Sequence, residues 1–182
     1  MMGTHSSAIQ TYIRAKDENR PHLMASAFTP DASLDIRVET ENISFPPASK
    51  GIEAITQVLV RDFGAAYENI YTFCLDNAPA DGDAQFRCRW MVGMSVKETN
   101  SIRVGFGYYD WQFGASELIQ HLKITVKTML ILSSDHHRPV MNWLSHLPYP
   151  WCPEETAAKG MPPISELKEV RQFLTRHNAE PS

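Results

Sequence analysis

The chain has 182 residues, 43% of them hydrophobic and 21% charged, with a formal net charge of −4. That length suits one domain with an appendage and a sizeable core, and the composition excludes a disordered chain. The acidic balance, without any Lys/Arg run, argues against nucleic acid or an anionic membrane surface as a partner. Apolar stretches such as 129–132 are far too short to span a bilayer, and the segment with Thr4, His5, Ser6 and Ser7 lacks the apolar core of a secretory signal. Cys74, Cys88 and Cys152 are sparse and contain no CxxC pair, which suits packing thiols in a reducing cytoplasm better than a disulfide framework.

In chain order, Ser6 and Ser7 can cap a helix with Ile9, Tyr12 and Ile13 on one face. Asn19 is placed to cap a second helix, with Pro21 in its first turn and Leu23, Met24, Ala27 and Phe28 as its stripe. Leu34, Ile36 and Val38 alternate with Asp35 and Arg37 as a half-buried strand. Ser49 is placed to cap a third helix carrying Ile52, Ile55, Leu59 and Phe63, with Gly64 at its end. The period then changes to two, predicting strands over 69–76, 84–97, 101–113 and 119–132. Turns at Asp81-Gly82-Asp83, Glu98-Thr99-Asn100 and Gly114-Ala115-Ser116 join them. In the second of these strands Phe86, Cys88, Trp90, Val92, Met94 and Val96 share a face. In the last, Leu122, Ile124, Val126, Thr128, Leu130 and Leu132 do. Such long strands imply strong curvature, with Gly93, Gly105 and Gly107 as bend or bulge sites. Val140, Trp143, Leu144 and Leu147 predict a short helix. A proline-rich arm over 148–163 leads to an amphipathic helix with Leu167, Val170, Phe173 and Leu174, and then a polar tail. Helices first and long antiparallel strands afterwards define an α+β protein. The expected division is a domain over 1–147 and an arm with a C-terminal helix over 148–182.

Three phrases carry a family likeness. Ala27-Phe28-Thr29-Pro30-Asp31-Ala32-Ser33-Leu34 is similar to a helix exit into a first strand, Lys50-Gly51-Ile52-Glu53-Ala54-Ile55 to the opening of a third helix, and Gly107-Tyr108-Tyr109-Asp110-Trp111-Gln112-Phe113 to a core strand. Together, over about residues 7–132, the chain resembles the nuclear transport factor 2-like, or SnoaL-like, superfamily. The resemblance implies a cone-like curved antiparallel sheet wrapped around N-terminal helices, here with a C-terminal helical extension. It also implies a pocket for a small apolar molecule, no cofactor, and a homodimer. One such fold hosts many activities, so function must be argued from the site.

Against the ketosteroid isomerases of that superfamily, Tyr12 falls on the oxyanion-hole tyrosine and Asp110 near the partner aspartic acid. Ile36 stands where the general base belongs, with Asp35 expected on the opposite strand face. Against the scytalone dehydratases, Thr72 and Ser95 stand where histidines are expected, leaving His121 as a candidate base. The candidate catalytic groups are therefore Tyr12, Asp110, His121 and Asp35, and the candidate ligand contacts Tyr108, Trp90, Phe106 and Arg89. Each has a plainer reading: Tyr12 as a core aromatic, Asp110 as the partner of Arg89 or Arg103, His121 as a solvated neighbour of Lys123 and Lys127, and the aromatics as core. Gly105-x-Gly107 lacks the third glycine of a dinucleotide site. His136, His137, His146 and Cys152 match no common zinc spacing, so no metal is assigned. The residues support two functions, an isomerase, dehydratase or cyclase on a small apolar, cyclic substrate, or a non-catalytic binding or accessory module.

Overall fold

The computed structural model describes residues 4–79 and 82–176, so the turn residue Asp81 and the tail after Arg176 lie outside the described residues. Helix α1 (Thr4–Asp17) buries Ile9, Tyr12 and Ile13 as their spacing predicts. Its end is closed by Asn19, which adopts a φ of 54°. The amide of Arg20 donates to the Ala15 carbonyl at 2.8 Å and that of Asn19 to the Lys16 carbonyl at 3.3 Å. Asn19 therefore terminates α1 rather than capping the next element, because asparagine tolerates the left-handed conformation this closure requires. The next element is only a 3₁₀ turn, Pro21–Ser26.

Strand β1 (Phe28–Val38) follows, then a short edge strand β2 (Ala48–Lys50) paired with it. Ser49 is a residue of β2, and Gly51, at φ 88°, opens the third helix instead. That helix is interrupted: α2 (Ile52–Thr56) passes through a π-helical turn, Gln57–Asp62, into α3 (Phe63–Ala66). The remaining strands are β3 (Tyr67–Cys74), β4 (Gln85–Val96), β5 (Ile102–Phe113) and β6 (Ile119–Leu132). The sheet order is β2-β1-β6-β5-β4-β3. All neighbours are antiparallel except β1 and β6, which run parallel and make the sheet mixed.

Two apolar clusters sit on the two sheet faces. One joins α1, α2 and α3 to Cys88, Trp90, Val92 and Met94 of β4 and to Tyr109 and Trp111 of β5. The other joins Met91, Ile102, Val104, Phe106 and Tyr108 to α4 (His137–Ser145), α5 (Glu154–Lys159) and α6 (Lys168–Thr175). The expected single face of β6 does not hold. Phe106 pairs with Thr128 but Gly107 with Val126, so Lys127 is an extra residue, and the alternation inverts across it. Ile124 and Val126 join the first cluster with Met129, while Leu130 and Leu132 join the second.

The C-terminal arm thus covers much of the convex face within one chain. Phe173 stacks on Phe106 at 4.1 Å between centroids, Arg89 lies 4.2 Å over the Phe173 ring and pairs with Glu154, and the Trp143 indole donates to the Ala157 carbonyl at 2.9 Å. Among the described residues the large hydrophobic side chains left exposed are Ile131 and Tyr149. A second copy therefore has less apolar surface to cover than an open sheet suggests. No described helix is long and apolar enough to cross a membrane.

The bulge depends on Gly107, where an added Cβ would lie 1.8 Å from the Thr125 carbonyl oxygen. Gly107→Ala is expected to cost at least about 3 kcal/mol in urea unfolding. Gly114→Ala, which meets only the flexible Gln120 side chain at 3.2 Å, should cost less than about 1 kcal/mol.

Candidate functional site

The concave side holds a narrow cavity of about 40 Å³, open at its mouth. Its walls come from β1 (Ile36), β4 (Trp90, Val92), β5 (Tyr109), β6 (Ile124, Val126, Met129) and the interrupted helix (Leu59, Phe63). The π-helical turn carries Leu59 and is followed directly by Phe63, so an irregularity common at functional sites shapes this wall. An adjoining hollow of about 250 Å³ shares Ile43, Phe45 and Phe63 and adds Pro46, Val58, Asp62 and Tyr67, extending the cavity beneath the loop after β1.

Polar groups on this wall are few. Tyr12 is fully buried, edge-on to Phe28 at 5.6 Å and Trp111 at 5.8 Å, and its hydroxyl has no partner of good hydrogen-bond geometry. Tyr109 is close enough to interact with it but not in a well-formed bond. The Trp90 indole N–H is likewise buried without a partner. Burial above all, then the Asp17 charge, pushes the Tyr12 pKa far above the ordinary tyrosine range, so Tyr12 is a neutral donor. An orphan hydroxyl in an apolar cavity is costly unless something else accepts from it.

One turn further along α1 stands Lys16, which sequence reasoning missed. Its Nζ donates to Asp17 Oδ1 at 2.9 Å and to Thr72 Oγ1 at 2.6 Å, with its side chain only 7% exposed. Asp17 is buried still more deeply. Its Oδ1 also accepts from the Thr72 hydroxyl at 2.8 Å, and its Oδ2 from the Thr72 amide at 2.7 Å and the Tyr149 hydroxyl at 2.7 Å. Lys16 and Thr72 line the cavity, and Asp17 lies behind them. The one available signal was position: Lys16 follows Tyr12 by four residues and so shares its helix face.

Of the residues expected at the site, Tyr12 and Trp90 meet in this cavity. The others lie on the convex face. Asp110 pairs with Arg87 at 3.4 Å, and His121 Nε2 with Asp35 Oδ2 at 3.3 Å, its Nδ1 bonding Ser33 Oγ at 2.6 Å. Register places Arg87 opposite Asp110, Asp110 opposite Lys123, and Lys123 opposite Asp35, a row of alternating charge across four strands. Tyr108, Phe106 and Arg89 pack against the C-terminal arm. Asp110 is thus one residue out of phase with the cavity-facing Tyr109. Among the described residues no group of three or more His, Cys, Asp or Glu side chains gathers as a metal site. His136 instead lies 3.3 Å from Glu166.

Burial raises Tyr12, Tyr109 and Tyr149 together. In alkaline titration these three should stay protonated past about pH 10, where free tyrosine ionises. Their folded pKa values exceed the unfolded ones, so above that pH the unfolded chain binds fewer protons and stability falls. Phenolate absorbance rising for all six tyrosines with tertiary circular dichroism intact would contradict this.

No family model matches the sequence, and no curated protein matches it. Solved structures do match in fold. A nuclear transport factor 2-like protein from Burkholderia thailandensis superposes with a TM-score of 0.53 at 13% identity, over 69% of this chain and 92% of its own. A Mycobacterium tuberculosis protein in complex with estradiol-17beta-hemisuccinate gives 0.55 at 12% identity, over 68% and 93%. The delta 5-3-ketosteroid isomerase of a Mycobacterium species gives 0.56 at 12% identity, over 71% and 99%. The chain has the nuclear transport factor 2-like fold, the fold it shares with ketosteroid isomerase.

Proposed function

We propose that this protein binds a small, mostly apolar and cyclic molecule in the concave cavity, with Tyr12 as a hydrogen-bond donor to it. The observation that carries the reading is the fully buried Tyr12 hydroxyl, which makes no well-formed hydrogen bond, among largely apolar walls. Neighbours of the same fold include one in complex with a steroid ester and a designed 17-OHP binder, which supports the ligand class.

Conversion of the molecule, by isomerase, dehydratase or cyclase chemistry, is the second reading. The Tyr12 donor favours it, since such a group can stabilise a developing oxyanion. It also needs a base over the bound molecule. The inner cavity wall carries no carboxylate or histidine among the described residues, Asp62 of the adjoining hollow is engaged by the Gln57 amide, and Ile36 stands at the position expected for that base. Binding is therefore the function put forward. The three cysteines are free and buried, which suits a reducing compartment such as the cytoplasm.

Fluorescence titration with 2-acetylnaphthalene and its acceptor-free counterpart 2-ethylnaphthalene tests the reading. Both should bind the wild type. Tyr12→Phe should weaken the acetyl compound by about three- to tenfold and leave the ethyl compound unchanged. A folded protein that binds neither would overturn it, and equal affinities for wild type and variant would remove Tyr12 as the contact.

A further inference from the structure

Among the described residues Lys16 is the one charged side chain on the inner cavity wall; Asp62 lines the adjoining hollow, where it accepts from the Gln57 side-chain amide at 2.6 Å. A buried ammonium has three N–H donors to satisfy. Two are met, by Asp17 Oδ1 and Thr72 Oγ1. The remaining side of the group lies over the Phe63 ring, 4.9 Å from its centroid, and Phe63 is itself cavity wall. The counter-charge is held away from the cavity. Each Asp17 oxygen already accepts two hydrogen bonds, from Lys16, the Thr72 hydroxyl, the Thr72 amide and Tyr149. Asp17 therefore has little capacity left for a ligand, and the pair presents its positive end to the cavity. The neighbouring donors point the same way: the Trp90 indole N–H has no acceptor and the Tyr12 hydroxyl makes no well-formed hydrogen bond.

Building on the binding reading above, we infer that Lys16 selects the ligand's charge, so that the cavity takes an apolar ring system bearing one carboxylate or an equivalent acidic oxygen. Lys16 supplies the charge-assisted contact, and Tyr12, four residues before it on the same helix face, supplies a second donor. Asp17, Thr72 and Tyr149 are positioning residues that hold the ammonium in place. Tyr149 belongs to the segment after α4 that crosses back to β3, where the Cys74 amide donates to the Pro150 carbonyl at 2.7 Å and the Cys152 amide to the Cys74 carbonyl at 2.9 Å. The C-terminal arm is thereby part of the site.

The test compares 2-naphthoate with its neutral near-isostere 2-naphthamide at pH 7, with 2-ethylnaphthalene as the apolar reference. The wild type is expected to prefer the carboxylate by about tenfold or more. Lys16→Met should abolish or reverse that preference, because a carboxylate would then lose water without a replacement, while 2-ethylnaphthalene binding persists. If Lys16→Met leaves Asp17 too costly to bury and the variant unfolds, the double variant Lys16→Met/Asp17→Asn removes both charges and keeps one acceptor oxygen for the Thr72 amide and Tyr149, while the new amide can donate to the Thr72 hydroxyl. Equal wild-type affinity for naphthoate and naphthamide, or a preference that survives loss of Lys16, overturns this inference alone. Failure of all the naphthalenes, 2-ethylnaphthalene included, overturns the ligand-binding reading and this inference with it.

Discussion

A strand sends successive side chains to opposite faces, and here both faces of the central strands are buried. Along β5, Ile102, Val104, Phe106 and Tyr108 serve the cluster under the C-terminal helices, and Tyr109, Trp111 and Phe113 serve the cone interior. A one-residue slip would exchange the two interiors, so the phase of β5 and its neighbours decides what the cavity can contain. The bulge opposite Gly107 shifts that phase once more within β6, turning Met129 inward and Leu130 outward. Side-chain chemistry at the site follows from this geometry. Tyr109 reaches the cavity, while Asp110 becomes one member of a charge row on the other side.

Asp17 plays a comparable organising role at the end of α1. A carboxylate almost wholly removed from water is tolerable only if its oxygens are satisfied, and this one is satisfied from three separate parts of the chain. Lys16 comes from the same helix turn, Thr72 from β3, and Tyr149 from the arm. The helix C-terminus also favours a cation at Lys16, since the last carbonyls of α1 carry partial negative charge. The ion pair thus ties the helix, the sheet and the arm together at the edge of the cavity, so the arm that covers the convex face also supports the concave one.

The cavity combines apolar walls with donors. Tyr12, Trp90 and Lys16 can all give hydrogen bonds, while the acceptors nearby, on Thr72 and Asp17, are already engaged. Such a set suits holding an oxygen-bearing apolar molecule more directly than moving a proton off carbon, which needs a base over the substrate. At Ile36, where the family resemblance implies a base, the cavity wall is a hydrocarbon.

Much of the architecture was legible in local sequence. Period-two alternation located the four long strands to within about two residues, and helical spacing located α1, α4 and α6. Helical spacing placed Tyr12 on the buried face of α1, while its expectation as a cavity residue came from the family resemblance. Local patterns misled where a residue had two possible roles, as when Asn19 ended one helix rather than starting another. By itself, then, the sequence determined the element types, the α+β class and the inward face of α1, since these depend on neighbours within a few positions. Only the tertiary structure decided which face of each strand became the cavity, and that Lys16 belongs to it. Strand alternation has a period but no label for inside, and Asp17 meets partners 55 and 132 residues away.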